Sequence, residues 1–331
     1  MGALQWDVWS ATNIATLIVA LISLASSVIL ARLAFRNSKR LAEFQAKLED
    51  QKGEAGAKRQ YEYDARKRLY AECYPVIFQL SEYADLAYRR VLNIADAAVA
   101  GGLRERLGNQ YYSSSTMYRI IAPAACFVLM RQRLTAVDLS LDERINRLYK
   151  IARLHYSVLL ADFEMSAEDP TITYKPHEPE AETHRNLDPR QPNPAEYWYQ
   201  ALVWGYLDRA ASSMLVSNNG GAEQRIMGFG EFDDAVRKDG SQLNLYFKPI
   251  RDLFEDFTPN GRPTLWRVFA GLAILTRMFR ADAAKADIGM LMFPKDAERI
   301  RKAAGAEVGD PLEAAAGWIT KQLAPVDHIA R

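Results

Sequence analysis

The apolar residues of this chain follow two patterns. Between Asp7 and Arg32 the sequence runs for 24 residues without a formal charge. Beyond Arg32, apolar positions recur with a helical period, punctuated by Gly- and Pro-rich breaks. The second pattern is that of amphipathic helices buried on one face. It predicts a helix from about Tyr61 to Ala100, kinked at Pro75 and ending at Gly101-Gly102, and another from Tyr111 to Thr135 around Pro123. A third is expected from Leu141 to Met165, opened by a capping box of Ser140 and Glu143. Its apolar face is Leu141, Ile145, Leu148, Ala152, His155, Leu159 and Phe163. After a long break, Asn193 and Pro194 begin an aromatic-rich helix to about Ser217. Further helices are expected at Gly230 to Lys238, Gln242 to Phe257, Leu265 to Ala284, Lys295 to Ala304 and Pro311 to Leu323, the last capped by Asp310. No alternating run is long enough to announce a sheet, so the expected class is all-α.

The uncharged N-terminal run is of a different kind. As a helix it measures about 36 Å, against a hydrocarbon core of about 30 Å. Eleven of its residues are Val, Ile or Leu, and Trp6 and Trp9 stand at its outer end, where aromatic rings anchor at a bilayer interface. No Lys or Arg precedes the run, while Arg32, Arg36, Lys39 and Arg40 follow it. That order is the reverse of a cleaved signal peptide, and the positive-inside rule places the N-terminus outside and the remainder in the cytoplasm. The expectation is a single-pass protein of the cell (inner) membrane. Residues 1–7 would be extracytoplasmic, 8–31 would span, and 32–60 would form a basic helical stalk. The next most apolar runs, Ile120 to Met130 and Val268 to Thr276, are too short to span and suit buried core helices.

Within the span, Ala15, Ser23, Ser27 and Ala31 fall on a four-residue spacing broken only by Val19, which would let two membrane helices approach closely and predicts a homo-oligomer. The stalk region Arg32 to Ala71 holds 11 Lys or Arg and 6 Asp or Glu, a mixture that suits a solvated helix beside anionic headgroups. Gly53 and Gly56 are the expected hinge between this stalk and the folded part. Residues 166–194 contain six prolines and almost nothing apolar, so they read as an acidic loop separating helical subdomains at 61–165 and 195–331.

Composition removes several function classes. Lys and Arg total 42 and Asp and Glu 41, so no bulk charge favours nucleic acid as a partner. Cys73 and Cys126 are too few and too far apart for a disulfide framework or a zinc site, and suit a reducing compartment. Walker, Gly-x-Gly-x-x-Gly, Gly-x-Ser-x-Gly and His-Glu-x-x-His motifs are all missing, and no cofactor is expected.

Three histidines carry what chemistry the sequence offers. His177 and His184 flank an acidic stretch in the Pro-rich loop and could wrap a divalent ion, although no helix fixes their spacing. His155 follows Arg147 and Arg153 and is the candidate general base. An all-helical chain with an Arg and a His four to six positions apart would resemble the HEPN ribonucleases. Here seven residues separate Arg147 from His155 and one separates Arg153 from it, so the chain resembles that family only in class. The leading expectation is a membrane-tethered helical interaction module, self-associating and joined to a further protein partner. The alternatives are a membrane-disrupting or pore-forming effector of the kind used in prokaryotic defence, and a HEPN-like or metal-dependent nuclease.

Overall fold

The computed structural model describes residues 5–135, 137–161, 164–165, 204–217, 224–255, 257–281, 291–305 and 309–324; most side chains before residue 52 are outside this set. The described chain is predominantly helical, as the 3.6-residue period requires. In order the elements are α1 (Gln5–Val99), α2 (Leu103–Gly108), α3 (Gln110–Arg133), α4 (Glu143–Ser157), α5 (Trp204–Ser213), β1 (Leu215–Ser217), β2 (Gln224–Ile226), α6 (Phe229–Arg237), α7 (Gln242–Phe254), α8 (Pro263–Ala281), α9 (Pro294–Ala304) and α10 (Pro311–Leu323). Two compact units divide at Asp64: residues 1–64, and Ala65–Arg331.

Among the described residues the first unit is helix alone. Gly53 and Gly56, the expected hinge, both lie inside α1. Helix continuity wins there because nothing crowds the missing Cβ atoms and neither glycine departs from negative φ. Arg32, Arg36, Lys39 and Arg40 are exposed, and Lys39 approaches Glu43 one turn on at 4.0 Å. Among the described residues no helix is long and apolar enough to cross a membrane. The side chains of 8–31, apart from Thr16, lie outside the described residues, so the expected span rests on the sequence.

In the second unit, α1 buries Leu69, Cys73, Val76, Leu80, Ala84, Ala87, Val91 and Ile94, the three-and-four spacing of one helical face. Pro75 does not end the helix. It and Ala71, whose carbonyl loses its donor, are both exposed, so water can take up that carbonyl. Gly101 then adopts φ +72°, a left-handed residue that closes α1 through hydrogen bonds from Gly101 and Gly102 back to Ala98 and Ala97.

Two helices run through the interior. In α3 every residue from Ser114 to Met130 except Arg119 is buried, and in α8 every residue from Pro263 to Thr276. A helix apolar on all sides belongs in a core. Around α8 pack α4, α9 and α10; around α3 pack α2, α4, α5, α6 and α7. Helices on either side of 166–194 therefore share one core, where the sequence suggested two subdomains. The loop itself is outside the described residues. At the centre, Trp266 donates its indole N–H to the Ile300 carbonyl at 3.1 Å and meets Phe257 and Phe269.

Two local readings change. Helix α4 begins at Glu143, with Asp142 rather than Ser140 as its cap: Asp142 accepts from the Ile145 amide at 3.0 Å and from the Tyr70 hydroxyl at 2.8 Å. The carboxylate serves both α4 and α1, and those bonds lower its pKa. The stretch Leu215–Ile226 also contains a small antiparallel pair, β1 with β2, where helix was expected up to Ser217. Glu231 anchors the turn after it, reaching the Gly228 amide at 2.6 Å and Arg225 through both oxygens. Those partners hold its pKa down at about 2.

Gly271 marks where α8 lies tightest against the 3₁₀ turn Val158–Leu160. A Cβ there would sit 2.6 Å from Val158 Cγ2, a branched atom with little room to swing. Gly271→Ala gains about 1 kcal/mol in helix propensity and incurs about 1–3 kcal/mol of overpacking. The expected result is a net loss, seen as a lower denaturant midpoint. The same change in a Val158→Ala background should be neutral or stabilising; a midpoint at or above the parent in the single variant would refute the close approach.

Candidate functional site

Among the described residues, α2, α3, α6 and α7 line an open concavity of about 520 Å³. Its size is in the range of small-molecule sites. The floor is apolar: Leu107, Met117, Val236 and Phe254, all buried. Polar groups stand on it at two depths. Ser114, 3% exposed, and half-buried Ser113, Asn244 and Arg251 lie inside, while Arg104, Arg237, Asp239 and Glu255 are exposed around the opening.

Local sequence explains the inner set. Asn109 caps α3 by accepting from the Tyr112 amide at 3.1 Å, which fixes the first turn and sets Gln110, Ser113, Ser114 and Met117 along one face. On the opposite wall, Ser241 caps α7 by accepting from the Asn244 amide at 3.0 Å. The Val236 carbonyl at the end of α6 accepts from Asn244 Nδ2 at 2.6 Å and from Arg251 Nη2 at 3.3 Å. Arg237 is neutralised by Asp233, with Nε to carboxylate at 2.8 Å. Arg251 has no carboxylate within ion-pair distance among the described residues, although Glu255 is one turn away.

No protein-family model, curated protein or solved structure matches this chain. The site therefore has to be argued from its own chemistry. Of the residues singled out in the sequence, His155 does not line this cavity. His155 is fully buried on α4, its Nδ1 3.0 Å from the Ile151 carbonyl and its Nε2 3.5 Å from Thr276 Oγ1, with Phe279 edge-on to the ring. A carbonyl only accepts, so the proton is on Nδ1. Burial pushes the imidazole down to about 4, and it is neutral at pH 7. Arg153 is exposed on another side of α4, so it does not pair with the buried His155. His155 acts as a packed polar residue holding α4 against α8.

His177 and His184 lie outside the described residues, as do the side chains of Trp6, Trp9, Ala15, Ser23, Ser27 and Ala31. Among the described residues no group of three His, Cys, Asp or Glu could hold a metal ion. Both thiols are fully buried; desolvation pushes Cys73 up to about 11 and Cys126 well above its ordinary value. A protonated, enclosed thiol is a poor nucleophile.

Sequence reasoning missed two buried cations, Arg90 and Arg267, the second of which donates to the Met165 carbonyl at 3.0 Å. Arg90 on α1 is 4% exposed, donates to Ser115 Oγ at 2.8 Å and lies 4.3 Å over the Tyr112 ring. Its Nε and Nη1 are enclosed without hydrogen-bond partners, and desolvation lowers its pKa. The ring face supplies the attraction a carboxylate normally would.

Proposed function

We propose that the chain is a membrane-tethered helical module that binds a partner, or a second copy of itself, at the cytoplasmic face of the inner membrane. The observation that carries this reading is the 24-residue uncharged run followed at once by Arg32, Arg36, Lys39 and Arg40. A helical backbone through that run, within Gln5–Val99, is what a lipid environment demands of a spanning segment. Self-association is supported by the helix of the first unit, which among the described residues has no second element of its own to pack against and exposes Leu41 and Phe44 one turn apart. Helices without tertiary packing are marginal in water, and a bilayer or a second helix supplies what is missing.

Alkaline carbonate extraction of cells expressing the full chain should leave it in the membrane pellet, and a tag at the C-terminus should resist labelling from outside intact cells. Release into the supernatant, or external labelling, would sink the reading. Leakage of vesicle contents on reconstitution would favour a pore-forming effector instead.

A further inference from the structure

Neither carboxylate that lines the cavity between α2, α3, α6 and α7 lies in its depths, where the polar groups are Ser113, Ser114, Asn244 and Arg251. Ser114 is 97% buried, given its 3% exposure, yet it lines the cavity and its hydroxyl makes none of the hydrogen bonds seen among the described residues. Its oxygen is not one of the enclosed, partnerless atoms, so it is open to a ligand or water standing in the cavity. Beside it the α3 N-terminus presents its positive end: Gln110 lines the cavity, and the amides of the first turn, apart from Tyr112 and Ser113, have no carbonyl ahead of them within the helix. Across the space stands Arg251, held by a single bond to the Val236 carbonyl and without a carboxylate partner among the described residues. The two acids that line the cavity, Asp239 and Glu255, are both exposed at the opening, where solvent screens them.

We infer that this cavity binds the phosphate group of a small molecule, held by the α3 N-terminus, the Ser114 hydroxyl and the Arg251 guanidinium, with the rest of the ligand on the apolar floor of Leu107, Met117, Val236 and Phe254. Phosphate suits the site because a helix N-terminus, a hydroxyl and a forked guanidinium are its usual donors. A volume of about 520 Å³ leaves room for more than the anion itself. This inference does not depend on the membrane placement, since every residue it uses belongs to the unit from Ala65 onward.

The probes are inorganic phosphate and phenyl phosphate, titrated into the full chain in detergent at fixed ionic strength, with binding read by calorimetry and by the shift in thermal midpoint. Both should bind and raise the midpoint, phenyl phosphate more tightly because its ring covers the floor. Arg251→Gln should weaken binding about tenfold or more, and Ser114→Ala about fivefold. Lys248→Gln, on an exposed Lys248–Asp252 pair of α7 away from the lining, should leave affinity unchanged. Because the readout is the ligand-induced change, a lower starting midpoint in a variant does not obscure it. No binding of either probe overturns the inference. So does equal affinity in Arg251→Gln and the parent, or tighter binding of benzoate than of phenyl phosphate, which would assign the site to carboxylates.

Discussion

Truncating Trp266 to alanine should cost about 3–5 kcal/mol, the range for removing a large aromatic side chain from a packed interior. Typical domains are stable by about 5–15 kcal/mol, so about a fifth or more of the total is at stake. The residue is fully buried and stacks edge-on to Phe269, which itself lies 5.8 Å from Phe254 in a parallel arrangement. Removing it leaves a hole bordered by stiff rings, which cannot close in, and removes the indole hydrogen bond to the Ile300 carbonyl. The consequence reaches two helices, because Ile300 is on α9 and Trp266 on α8. Chemical denaturation followed by circular dichroism should show a lower midpoint with an unchanged slope. Trp266→Phe should recover most of the packing and lose only the hydrogen bond, about 1 kcal/mol. Equal losses in the two variants would mean that the ring contributes little, contrary to its position.

Acid should weaken the fold through His155 before it touches the carboxylates. The folded-state pKa of about 4 lies below the ordinary 6.5, so between those values the unfolded chain takes up a proton that the folded chain refuses. Stability is then complete above about pH 6.5 and falls as the pH drops towards 4. The loss is about 3 kcal/mol by linkage. Glu231 acts in a lower window: its folded pKa of about 2 is below its ordinary 4.5, so its contribution is present above 4.5 and lost on the way to 2. Urea midpoints at pH 7, 6, 5 and 4 should decline in the parent and be nearly level in His155→Phe. A parallel decline in both proteins would remove His155 as the cause. The variant also loses the ring's bond to the Ile151 carbonyl, which lowers its midpoint uniformly and leaves the pH slope as the informative quantity.

How much of this was legible in the sequence depends on how local each feature is. The α10 boundaries, Pro311 to Leu323 with Asp310 as cap, follow from residues within one turn of each other, and the structure has them at those positions. The runs around Val268 and Ile120 announced buried helices because they lack a polar face, and α8 and α3 are those helices. Errors arose where two local signals compete or a distant contact decides. Ser140 and Asp142 both precede Glu143, and the contact that favours Asp142 comes from Tyr70, far away in the chain. Strands of three residues are too short for alternation to register. The single core joining both sides of residues 166–194 could not be read from a break in periodicity, because that break says only where a loop lies. The cavity was hidden for the same reason: Ser114, Val236 and Arg251 meet only through packing. His155 was placed on an apolar face by its spacing, and there it is.

The chain has two cysteines, both sealed in the interior and held as thiols. Maleimide dyes should therefore find nothing to modify while the molecule stays folded. A single cysteine introduced at an exposed position would give a fluorescent mark free of background without first deleting the native pair. Slow uptake of label by the unmodified chain would in turn count how often its interior opens, a clock for breathing motions that requires no substitution at all.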